Sequence, residues 1–109
     1  MFVAWLYLVL AGLFEIGFTT FLKLSAGFTR PWPTVMFALF AIFSFWMLNR
    51  ALQGIALGTA YAVWTGIGAF GTAIVGIAAF GDPLTVWRVV FLTTLIGSII
   101  GLKFVSPGE

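Results

Sequence analysis

Between Arg50 and Asp82 the chain runs for 31 residues without a charged side chain, and from Phe2 to Leu22 it runs for 21 with only one, Glu15. Stretches of that length and polarity have no place on the surface of a water-soluble domain. They match the ~20 apolar residues that an α-helix needs to cross the ~30 Å hydrocarbon core of a bilayer. Only 7% of the 109 residues are charged, against roughly 25% in a soluble domain. Four such spans joined by short turns use up nearly the whole sequence. The reading is an all-α membrane protein with a single four-helix transmembrane domain over residues 1–109.

The first span, about residues 2–22, ends at KLSAGFTRPWP, where Lys23, Gly27, Arg30, Pro31 and Pro33 mark one helix stopping and another starting. No basic residue precedes it and apolar segments follow throughout, so it reads as a span rather than a cleaved signal. The second, about 32–49, reaches spanning length only with its flanks, because the apolar run Thr34 to Leu48 numbers 15 residues. The third covers about 57–80 and closes on Gly81, Asp82 and Pro83. The fourth covers about 85–105, with Arg88 and Lys103 near enough to its ends to reach the interface.

With four spans, Arg50 and Lys103 fall on the side of the N-terminus, and Lys23, Arg30 and Arg88 on the other. Three against two gives little instruction for orientation. Insertion in both directions fits such a count, and two oppositely inserted copies would form an inverted pair; one orientation fixed by other signals fits it as well. The net charge is +2, but the five basic residues are scattered and form no patch for nucleic acid. The lipid bilayer is the partner they suit. There is no Cys and no His, which argues against disulfides, thiolate chemistry, metal sites and triad enzymes. No cofactor or metal is expected.

Glu15 is the most informative residue. A carboxylate within a span is costly to leave charged and alone, and marks a functional site by default. No basic residue lies at matching depth, since all five are near span ends. An exchangeable partner, a proton or a cationic ligand, therefore suits it better than a fixed ion pair, although interhelical glue is the alternative. Helical spacing puts Ala11, Gly12, Phe18 and Thr19 on the same face, leaving room for a small cation. In the third span Tyr61 and Trp64 are three apart, with Gly68 continuing their face. Their rings and indole N–H suit the wall of a cation pocket, or ordinary packing. Ser44, mid-way along the second span, could hydrogen-bond a carboxylate or ligand, or bridge helices.

Gly58, Ala62 and Gly66 form a small-residue stripe, and Gly66, Gly68 and Gly71 crowd the third span. Close helix approach and a bend are both compatible with them. Gly97 and Gly101 form a GxxxG pair in the fourth span, a pattern associated with helix pairing.

AGLFEIG around Glu15, KLSAGFTR, SFWML around Ser44 and above all GTAYAVWTGIGAFG around Tyr61 and Trp64 resemble the small multidrug resistance family in order and spacing over nearly the whole chain. The resemblance implies a multi-pass protein of the bacterial inner membrane. It would be an antiparallel, dual-topology homodimer in which two copies of Glu15 share one site and bind protons or a cationic substrate in exchange. It further implies that Tyr61 and Trp64 line the site, with Phe18 and Gly12 on the Glu15 face, and that Ser44 supports the carboxylate. Gly66 and Gly68 would form a conformational kink, and Gly97 and Gly101 would hold the dimer. Some members of the family work as pairs of different chains, so a heterodimer is the alternative to the homodimer.

Within the family one subtype exports guanidinium-type compounds and another quaternary ammonium compounds, and this chain mixes their features. GTAYAVWTGIGA and the GLK near the C-terminus resemble the guanidinium exporters, whereas TTFLKLSAGFTRPWP and SFWML resemble the multidrug type. The guanidinium exporters carry a Trp one turn after the essential Glu, where this chain has Phe18, which favours a looser site. The leading expectation is a proton-coupled antiporter of small organic cations. A non-transporting membrane interaction subunit is the runner-up. Enzymatic chemistry needs more positioned polar groups than the spans hold.

Overall fold

The structure is a computed structural model describing residues 2–105. Its described residues form four α-helices and no strands: α1 (Phe2–Leu24), α2 (Pro31–Ala51), α3 (Leu57–Ala79) and α4 (Val86–Val105). The shortest has 20 residues, about 30 Å at 1.5 Å per residue, so each is long enough to cross a bilayer. All four are also apolar enough to do so. This is an all-α, four-span membrane protein.

The helix ends follow local chemistry. Beyond α1, the buried Ser25 donates its hydroxyl to the Leu22 carbonyl at 2.7 Å and accepts from the Phe28 amide at 3.1 Å, which ties down the turn. Arg30 is extended, as a residue before proline must be, and Pro31 opens α2 without forfeiting a needed N–H. At the end of α3, Gly81 takes the left-handed φ of +72° and the Asp82 amide reaches back to the Gly76 carbonyl at 3.0 Å. Thr85 caps α4, its hydroxyl accepting from the Arg88 amide at 3.2 Å.

Helix α1 is the hub, packed along both α2 and α3, while α4 runs along α3. The core lies toward the N-terminal end of α1, where Trp5, Leu8 and Ala11 meet Ala51, Ile55, Ala60, Val63 and Trp64. At that end the Arg50 guanidinium lies over the rings of Tyr7 and Trp46, and the Lys103 ammonium over Trp5. Glycines set how closely the helices approach. A Cβ on Gly12 would meet Ile67 Cγ2 at 2.7 Å, and one on Gly66 would meet Ile99 Cδ1 of α4 at the same distance. In α4 no residue is buried, and a Cβ on Gly97 or Gly101 would meet nothing within 4 Å.

Candidate functional site

Glu15 lies nine residues before the end of α1, about 14 Å along the axis and so deep within a ~30 Å hydrocarbon layer. Its carboxyl group fills the space that a side chain on Gly68 would take: a Cβ built there would collide with all three carboxyl atoms. The absence of a side chain at Gly68 is what lets an acidic group sit between α1 and α3. Glu15 Oε1 is buried and has no hydrogen-bond partner among the described residues. A buried oxygen without a donor is costly, and a proton or a cation at that oxygen removes the cost.

Ser44 joins three helices. Its hydroxyl donates to the Ala11 carbonyl of α1 at 2.7 Å and accepts from the Trp64 indole N–H of α3 at 3.0 Å, and the side chain is fully buried. Of the two roles the sequence left open for Ser44, a bond to a carboxylate or ligand and a bridge between helices, the structure makes the bridge. The one hydroxyl hydrogen is on the carbonyl of Ala11, a turn before Glu15. The indole N–H of Trp64, expected to be on offer to a ligand, is likewise spent on Ser44. What Trp64 presents is its ring.

That ring belongs to an aromatic row. Tyr61 lies 5.9 Å from Trp64 between centroids, Phe45 lies 5.4 Å from Trp64, and Phe18 stacks on Phe45 at 6.0 Å. Phe37 closes on the edge of Phe18 at 5.9 Å. Tyr61 is 57% exposed, so its face is open at the helix surface, whereas Trp64 is buried. The row links Phe18, on the Glu15 face of α1, to Tyr61 and Trp64. Phe45 and Phe37, which complete it, lacked any spacing signal relative to Glu15 because they come from another helix.

The remaining expected residues have structural neighbours of their own. The space beside Gly12 holds Ile67 rather than room for a ligand. Helix α3 runs unbroken through Gly66 and Gly68, the first receiving α4 side chains and the second the Glu15 carboxyl. Gly97 and Gly101 open outward from α4. One polar contact near the site was not foreseen: Thr19 and Thr72 share a hydroxyl hydrogen bond of 2.7 Å between α1 and α3, one turn beyond Glu15. Thr19 is visible on the Glu15 face by spacing, but its partner is 53 residues away.

Four bilayer-length helices with an unpartnered acidic oxygen buried between two of them define a multi-pass integral membrane protein with a polar site inside the membrane. Residues 3–95 match the family described as Small Multidrug Resistance protein, and the chain belongs to that family. It is 46% identical over 103 residues to the guanidinium exporter of Proteus vulgaris, covering 94% of this chain and 99% of that protein. It is 44% identical, with the same coverage, to the guanidinium exporter of Yersinia pestis. It is 43% identical to that of Salmonella typhimurium over 92% of this chain and 95% of that protein. These names describe transporters rather than enzymes, and the four spans with bacterial relatives make this a multi-pass protein of the bacterial inner membrane.

Proposed function

We propose that this protein exports small organic cations in exchange for protons, with Glu15 holding one or the other. The observation that carries the reading is the buried, unpartnered Oε1 of Glu15 over Gly68. Among the described residues no hydrogen-bond partner or fixed cation meets that oxygen, so the two exchangeable cations compete for it, and that competition is what couples their opposite movements. Guanidinium-type cations lead as substrates, because the relatives matched at 43–46% identity are named guanidinium exporters. Phe18 supplies a ring face and no N–H, which extends acceptance toward substituted and quaternary ammonium ions through cation–π contact.

The working unit is an antiparallel homodimer of dual topology. Helix α4, with no buried residue and with Gly97 and Gly101 facing outward, supplies the surface on which two copies pair. Bending of α3 at Gly66 and Gly68 would then let each copy adopt two shapes and open the shared site to alternate sides. A paired heterodimer uses the same surface.

The test is proton-driven uptake into proteoliposomes containing only the purified protein, with guanidinium and a bulky quaternary ammonium ion as substrates. Coupled transport of guanidinium, lost in Glu15→Gln with assembly intact, is the expected result. Coupled transport retained by Glu15→Gln would overturn the assignment of Glu15. Loss of dimerisation in Glu15→Gln, with no transport by the wild type, would favour an interaction subunit in which Glu15 is interhelical glue.

A further inference from the structure

On the side of the first and third loops the helices part around a cavity of about 120 Å³. Its polar lining is Thr19, Thr20, Lys23, Thr72 and Asp82, with the Phe80 ring beside them. In α1, Glu15, Thr19 and Lys23 are each four apart, and in α3 so are Gly68, Thr72 and Gly76, so the two rows face each other turn by turn. The first pairing is the Glu15 carboxyl over Gly68, the second is the Thr19 and Thr72 hydroxyl pair, and at the third Lys23 and Gly76 line the cavity. The Asp82 carboxylate folds back over Gly76, and the Lys23 ammonium lies 5.8 Å from the centre of the Phe80 ring.

We infer that this cavity is a water-filled inlet through which protons reach and leave Glu15, with the Thr19 and Thr72 hydroxyl pair as its floor. The inference rests on the exchange at Glu15 proposed above. A water needs roughly 10–15 Å³ of such space and two or more polar partners, and the cavity offers both for several waters. Its two titratable groups, Lys23 and Asp82, stand at the outer end, where the bulk solvent is. Thr19 Oγ1 donates its hydrogen to the Ile16 carbonyl at 3.0 Å, so Thr72 donates across the pair and its lone pairs are free to accept from water. From Thr19 to Glu15 is four residues, about 6 Å along the helix, and because Glu15 Oε1 is buried and outside the cavity lining, water crosses this last turn only when α1 and α3 part there. On arrival of a cation, the O–H bond of the Glu15 carboxylic acid breaks and its electron pair stays on the carboxylate. The proton passes to water at the floor and leaves past Asp82.

The chain has no cysteine, so single cysteines report water access without background. Thr72→Cys and Val75→Cys, both on the cavity wall, are expected to react with a charged, water-soluble thiol reagent in membranes open on both sides. Ile74→Cys, on the exposed outer face of α3, is expected to stay unlabelled. Labelling of Thr72→Cys no faster than that of Ile74→Cys would overturn the inlet. The second measurement is proton release on mixing the purified protein with guanidinium chloride in weak buffer containing a pH dye. Thr72→Val, which keeps the shape and removes the hydroxyl, is expected to release its proton about tenfold more slowly, an added barrier of ~1.4 kcal/mol, with equilibrium guanidinium affinity unchanged. Release at the wild-type rate would overturn the role of the floor. A wild type that binds guanidinium without releasing a proton would overturn the exchange reading itself, and the inlet with it.

Discussion

Gly68→Ala separates a glycine that positions the functional group from one that only lets helices approach. The new methyl lands on the Glu15 carboxyl, which is the far end of a flexible side chain and can swing away. Moving it to a poorer rotamer costs about 0.5–1.5 kcal/mol, and replacing Gly by Ala inside a helix returns about 1 kcal/mol. The two nearly cancel, so the protein is expected to fold, insert and dimerise as the wild type does. Function does not cancel. A carboxylate moved off its place gives up a charge-assisted contact of roughly 1.5–3 kcal/mol to the bound cation, which is about 10- to 100-fold in affinity. Gly12→Ala is the control, because its methyl meets the branched Ile67 at Cγ2, 2.7 Å, and Cβ, 2.8 Å. Those atoms are close to the backbone, so α1 and α3 must separate, at about 1–3 kcal/mol. Calorimetric titration with guanidinium, alongside thermal unfolding in detergent, reads both quantities for both variants. Unchanged guanidinium affinity in Gly68→Ala would refute the argument that Gly68 holds the carboxyl in place.

Three other variants probe the remaining contacts. Ser44→Ala removes the bond to Ala11 and leaves the Trp64 N–H buried and unpaired; a loss of about 1 kcal/mol in unfolding stability is expected, with weaker guanidinium binding by titration, whereas wild-type values in both would show the tie to be idle. Phe18→Trp restores an indole N–H beside the Glu15 face and is expected to raise the transport ratio of guanidinium over a bulky quaternary ammonium by about tenfold, the worth of one hydrogen bond to a charged group; an unchanged ratio would remove Phe18 from the specificity argument. Gly97→Leu with Gly101→Leu meets no neighbour within the protomer, so helix content is expected to hold while the dimer is lost in light scattering after size exclusion. A dimer that persists would place the interface elsewhere.

Much of the architecture was legible because a bilayer imposes a simple rule on sequence. Backbone groups in hydrocarbon must bond within their own helix, so each span is a local, contiguous object and shows as an apolar run bounded by Lys23, Pro31, Arg50, Pro83 and their neighbours. Glu15 was legible for the same reason, since one charge in 21 apolar residues is conspicuous. Its relation to Thr19 and Lys23 follows from helical spacing alone.

What the sequence could not supply is every relation between helices. Lipid is as apolar as a buried side chain, so hydrophobic pattern does not tell an inward face from an outward one. Contact between helices is decided by where small residues admit large ones. That Gly68 receives the Glu15 carboxyl, that Ser44 gives its hydrogen to Ala11 and takes one from Trp64, and that Thr72 meets Thr19 are pairings across 20 to 53 residues. Sequence by itself determined four spans and one acidic site within them. Tertiary packing decided which groups surround that acid, because only the docked helices fix which side chain fills which gap.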